Sequence, residues 1–178
     1  MTDHFAVLGL ARAPWVDAEA LKERFHRLGA KNHPDAADGS SPAFAEINAA
    51  WQTLRDPAKC LRHYLEMEHP ASLAGVDGTP PDIADLFMDI AAFLPDAQHF
   101  AARNAAGSPL SRALLEPERI ALRNRLDSLA ASVAARMEAI TARLREETLT
   151  SGELATLLAS LVFLGKWSPQ LAEARLSL

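Results

Sequence analysis

A single cysteine, Cys60, stands among the 178 residues, so neither an internal disulfide nor a multi-thiolate metal site is open to this chain. Its side chain reads as a small apolar filler. No stretch approaches the roughly 18 uninterrupted apolar residues that a membrane span needs. The first ten residues lack a basic leader with an apolar run and a small-residue cleavage site, which predicts a cytoplasmic protein. No segment sustains a two-residue alternation rich in Val, Ile and Thr, so a sheet has nothing to build on. The six histidines show no His-Glu-x-x-His spacing, and no phosphate loop is present. Without a convergent set of acid, base or metal ligands the chain is not read as an enzyme, and no cofactor or metal is expected. A net charge of −5 and a pI near 5.7 argue against nucleic acid or an anionic membrane as the main partner.

What is present is Ala, Leu, Arg and Glu at spacings of three and four, with 49% hydrophobic residues to fill a core, and the expected fold is all-α. Asp3 to Leu8 predicts a short first helix closed by Gly9. Asp17 caps a second helix running to about Lys31, with Glu19 in its first turn. Ser41-Pro42 opens a third, ending near Arg55, and Asp56-Pro57 repeats that grammar for a fourth. Residues 69–81 are rich in Pro and Gly and read as a linker. Beyond them, residues 82–178 predict an antiparallel helical bundle. Its parts are an apolar helix from Asp82 to Leu94 stopped by Pro95, a long helix from about Pro117 to Thr148, and final helices carrying Leu154, Leu157, Leu158, Leu161, Phe163 and Leu164. The long helix is striped by Leu122, Leu126, Leu129, Val133, Met137, Ile140 and Leu144.

The most informative feature is His33-Pro34-Asp35, set in a polar loop between the second and third helices. Pro34 fixes its own φ and pushes His33 out of the α region, so a stiff bend presents an imidazole and a carboxylate to a partner. On the second helix, Leu21, Phe25 and Leu28 form an apolar stripe, with Arg24, Arg27 and Lys31 on the neighbouring face and Lys22 on the far side. In an acidic protein, a basic face leading into that loop is a steering surface for an acidic partner; an ordinary solvated helix face, diluted by Glu19 and Glu23, is the other reading. Phe44, Ile47, Trp51 and Leu54 on the third helix are spaced to clamp the stripe, and Trp15 and Trp51 read as structural anchors.

Asp3-His4-Phe5 with Leu8-Gly9-Leu10, the basic helix, His33-Pro34-Asp35 and Ile47 to Leu54 together resemble a J domain over residues 1–68. The resemblance implies a module without chemistry of its own that docks on an ATPase chaperone of the DnaK class and triggers ATP hydrolysis. On that carry-over Lys22, Arg24, Arg27 and Lys31 make charged contacts, His33 and Pro34 shape the loop, and Asp35 engages a basic group of the chaperone. Three positions depart from the pattern: Ala36 in place of Lys, Asn32 in place of an aromatic, and Gly29 within the second helix.

Ala50 to Arg55 with Pro57, followed by a bundle that closes with Leu161-Val162-Phe163-Leu164-Gly165-Lys166-Trp167, is similar to the HscB type of co-chaperone, which serves iron-sulfur cluster assembly. That similarity implies an HscA-type ATPase partner and a client-binding face for a cluster scaffold protein made by Leu86, Phe87, Met88, Ile90 and Phe163. These residues read equally as core. Ala92 and Pro95 stand where the family has carboxylates, and Cys60 and His63 replace the Arg and Tyr of its fourth helix. Two alternatives stay open: a J-domain protein with an unrelated client, and a helical adaptor. Ala130 and Ala134 widen the long helix's stripe beyond a two-stranded seam, which suits a monomeric bundle.

Overall fold

The computed structural model describes residues 2–33, 41–75, 80–146 and 148–178, and every described element is helical. Eight α-helices follow in order among those residues: α1 (His4–Val7), α2 (Ala18–Asn32), α3 (Ser41–Leu54), α4 (Pro57–Glu68), α5 (Ala84–Ala106), α6 (Pro109–Leu114), α7 (Glu116–Arg143) and α8 (Ser151–Ser177). Short 3-10 turns occupy Pro70–Gly75 and Pro81–Ile83. No helix among the described residues is long and apolar enough to cross a membrane.

The chain divides into two compact units, one made of Met1–Asp77 with Thr141–Leu158 and the other of Gly78–Ile140 with Ala159–Leu178. Residues 141–158 belong to the unit that holds the N-terminus.

In the first unit three aspartates start helices by taking up amide N–H groups that have no partner in the first turn. Asp3 accepts from Phe5 and Ala6 at 3.0 and 3.2 Å, Asp17 from Ala20 at 2.9 Å, and Asp56 from Ala58 and Lys59 at 3.0 and 3.1 Å. Gly9 ends the α1 turn with φ +63°, a left-handed conformation that costs a side-chain-bearing residue free energy. Phe5, Leu8, Leu21, Ile47, Ala50, Leu54 and Cys60 form the core, bringing α1 to α4 together. Burial pushes the Cys60 thiol up to about 12, which keeps it an inert apolar filler. α8 opens with a capping box: Glu153 Oε2 accepts from the Thr150 N–H and hydroxyl at 2.8 Å each, and Thr150 Oγ1 accepts from the Glu153 N–H at 3.3 Å. The Thr150 bonds hold the Glu153 carboxyl below the usual range.

The second unit is an up-down-up arrangement of α5, α7 and α8. Arg103 and Asp96 of α5 pair with Glu118 and Arg125 of α7, in opposite chain order, so these helices are antiparallel. Asp127 and Met137 of α7 meet Arg175 and Ser168 of α8 in the same reversed sense. Two sequence expectations need correction. Pro95 does not stop α5, which runs on to Ala106. Phe93, Ala97 and Phe100 are buried on either side of it, and their packing outweighs the roughly 3 kcal/mol an interior proline costs. Likewise the final helices are one helix, α8, which passes through the exposed Pro169.

Candidate functional site: the end of α2

The side chains singled out in the sequence converge where α2 meets α3. Phe25 stacks on Trp51 with centroids 4.7 Å apart, and Leu28 packs on the same core. Further along, Gly29 faces Phe44, and the His33 ring meets Phe44 edge-on at 5.4 Å. Contacts late in α2 thus fall early in α3, so the two helices are antiparallel.

His33 closes α2 with φ −58° and ψ 138°, outside the α region, as the following proline requires. Its side chain is exposed while Phe44 fixes one edge of the ring. Pro34 and Asp35 lie outside the described residues, as does Ala36. Asn32, in place of an aromatic, turns its amide back to donate to the Leu28 carbonyl at 2.9 Å, tying down the last turn of the helix.

Four cations were expected beside the loop. Arg27 and Lys31 are exposed one turn apart on one face, and among the described residues neither is held in an ion pair, so both are open to an acidic partner. Lys22 is exposed as well. Arg24 differs, being half-buried: a Cβ on Gly9 would lie 3.7 Å from its guanidinium, which places that group against the turn after α1.

Gly29 is buried, and a methyl group there would meet Phe44 at 3.8 Å, an ordinary contact. Gly29→Ala is therefore expected to raise stability by about 0.5–1 kcal/mol, through helix propensity and a less disordered unfolded chain. The midpoint of urea unfolding measures it.

The apolar residues proposed for a client sit in the second unit. Phe87 of α5 meets Phe163 and Trp167 of α8 with centroids 6.4 and 6.0 Å apart, and Lys166 lies over the Phe163 ring at 5.6 Å. Leu86, Phe87 and Phe163 are half-buried, and Met88 is 66% exposed. Ile90, by contrast, is 1% exposed and fills the interior instead of presenting a surface. Trp167 completes the aromatic cluster; sequence reading noted it only as part of the closing motif, although its i+4 spacing from Phe163 was a signal.

A contact with no local signal joins α1 to α4: the His4 backbone N–H donates to His63 Nε2 at 3.1 Å, 59 residues away. Arg12 adds a surface clamp, pairing with Asp3 and Glu68 at 2.8 Å each. Among the described residues no three His, Cys, Asp or Glu side chains converge as potential metal ligands.

Residues 3–64 match the family model described as DnaJ domain. The chain is 33% identical over 92 residues to a chaperone protein DnaJ of Nostoc punctiforme, a stretch covering 49% of this chain and 24% of that protein. It is 42% identical over 57 residues to the chaperone protein DnaJ of Thermosynechococcus vestitus, covering 31% of this chain and 15% of the relative. The corresponding protein of Acaryochloris marina is 40% identical over the same length, with the same shares. The matched stretch thus spans about a quarter or less of these curated relatives.

Proposed function

Starting from a J domain at the N-terminus, we propose that this chain is a co-chaperone that docks on an ATPase chaperone of the Hsp70 class and triggers its ATP hydrolysis. The carrying observation is the corner of α2: His33 is turned out of the helix, seated edge-on against Phe44 and exposed beside Arg27 and Lys31. This arrangement offers positive charge for encounter and a held imidazole for engagement, while hydrolysis itself belongs to the partner. Lys22 is a further exposed cation on the far side of α2, Arg24 lies against the α1 turn, and Pro34 and Asp35 follow His33 in sequence.

The test is the steady-state ATPase rate of the cognate chaperone with the full chain added. Wild type raises it. Arg27→Glu with Lys31→Glu requires about tenfold more protein for the same stimulation, equivalent to about 1.4 kcal/mol, and the gap narrows as salt rises. No stimulation by wild type at any concentration would defeat the proposal.

The finer reading is an HscB-type role, with an HscA-type chaperone as partner and an iron-sulfur cluster scaffold as client, held by Leu86, Phe87, Met88 and Phe163 over the buried Ile90. The exposed Met88, next in sequence to Phe87, and the half-buried rings of Phe87 and Phe163 support it. Calorimetry with the full chain is expected to show scaffold binding that weakens when Phe87 or Phe163 becomes Ala. A specific observation favours a second reading, a J-domain protein with an unrelated client: Ala92 and Pro95 are both exposed, so the two positions where the HscB type has carboxylates present none here. Absence of scaffold binding alongside intact ATPase stimulation would select the second reading.

A further inference from the structure

The bond from α1 to α4 can be made only by a neutral imidazole. A backbone N–H is always the donor, so Nε2 of His63 presents its lone pair to His4, and the ring's proton sits on Nδ1, 3.8 Å from the Glu66 carboxylate. The His63 ring is 4% exposed, stacked on Phe5 at 5.5 Å and tilted against the His4 ring at 4.7 Å. Nδ1 of His4 is itself buried with no hydrogen-bond partner among the described residues.

We propose that His4 and His63 form an acid-sensitive latch in the J domain, which holds the start of α1 on α4 at neutral pH and releases it when either ring takes up a proton. Protonation of His63 at Nε2 would set two donors against each other and place a cation in a nearly dry site, beside a second imidazole. Protonation of His4 would add a charge at the same junction.

The charged neighbours do not remove the effect. Asp3 from the start of α1 and Glu66 from α4 favour a charged ring. Arg12 opposes them and is shared between Asp3 and Glu68, while Lys59 is one turn earlier on α4. At His4 burial dominates: together with the nearby His63 it holds the imidazole below its ordinary 6.5, against the pull of Asp3. The unfolded chain then carries more protons than the folded one just below pH 6.5. Stability is full above that value and falls as pH drops through it toward the folded value.

Amide hydrogen exchange of the full chain, followed on the peptide covering α1 and corrected for intrinsic chemistry, tests the latch. From about pH 7.5 to about pH 5.5 the opening of α1 should rise severalfold in wild type. His63→Gln keeps a carbonyl that accepts the His4 N–H at any pH, and should flatten part of that rise. His4→Phe removes the ring whose burial opposes its charge and should flatten most of it, which keeps the test decisive even if His63→Gln folds poorly. A pH dependence of α1 opening that is unchanged in both variants, or absent from wild type, overturns the latch.

Discussion

Asp35→Asn is expected to leave the ATPase rate of the cognate chaperone at its unstimulated value, with the far-ultraviolet circular dichroism of the variant matching wild type. The substitution changes charge and almost nothing in volume, and Asp35 is the carboxylate that follows directly on His33-Pro34 at the end of the basic helix. An aspartate that engages a cation of the chaperone leaves that cation unpaired when it becomes an amide. Truncating one side of a desolvated charge pair costs about 2–5 kcal/mol, roughly thirtyfold or more in affinity. The loss would fall on stimulation and not on folding, because the core beneath the corner consists of Phe25, Leu28, Trp51 and their neighbours. Stimulation by Asp35→Asn equal to wild type would remove Asp35 from the mechanism.

Phe5→Ala should have the largest effect on stability, a loss of about 3–5 kcal/mol by guanidinium unfolding. Phe5 is fully buried in the core shared by α1, α2 and α3, and it also stacks on His63. Removing the ring leaves a cavity against two helices and undoes one side of the histidine contact. Small domains have only about 5–15 kcal/mol in hand, so the first unit would be close to unfolding at body temperature. Leu176→Ala is the control: the side chain is 90% exposed, and the change should stay within about 0.5 kcal/mol. A Phe5→Ala protein as stable as wild type would mean that α1 does not anchor the unit.

Most of the J-domain helices were legible because their ends are written in local chemistry. Asp17 and Asp56 cap α2 and α4 where the sequence places them, and Pro57 opens α4. Pro34 predicted that His33 leaves the α region, and it does. The same local grammar misled at Pro95, where burial of Phe93 and Phe100 carries α5 through a residue that would otherwise end it. Thr150-x-x-Glu153 is a capping signature written in local sequence, and it starts α8. The His4–His63 bond and the membership of residues 141–158 in the first unit depend on chain segments far apart in sequence, and periodicity carries no information about either. At the candidate site, the exposure of Arg27 and Lys31 followed from helix geometry. The half-burial of Arg24 depended on the neighbouring Gly9 turn, which a helical wheel does not contain.

The central claim is that the corner of α2 is the surface a chaperone touches. Nuclear magnetic resonance of the isotopically labelled full chain, with an unlabelled ATP-bound chaperone of the DnaK class titrated in, tests it most directly. The account predicts chemical-shift changes and line broadening concentrated at Arg27, Lys31 and His33, and diminished by salt. Changes confined to α5 and α8, with the α2 corner silent, would contradict it.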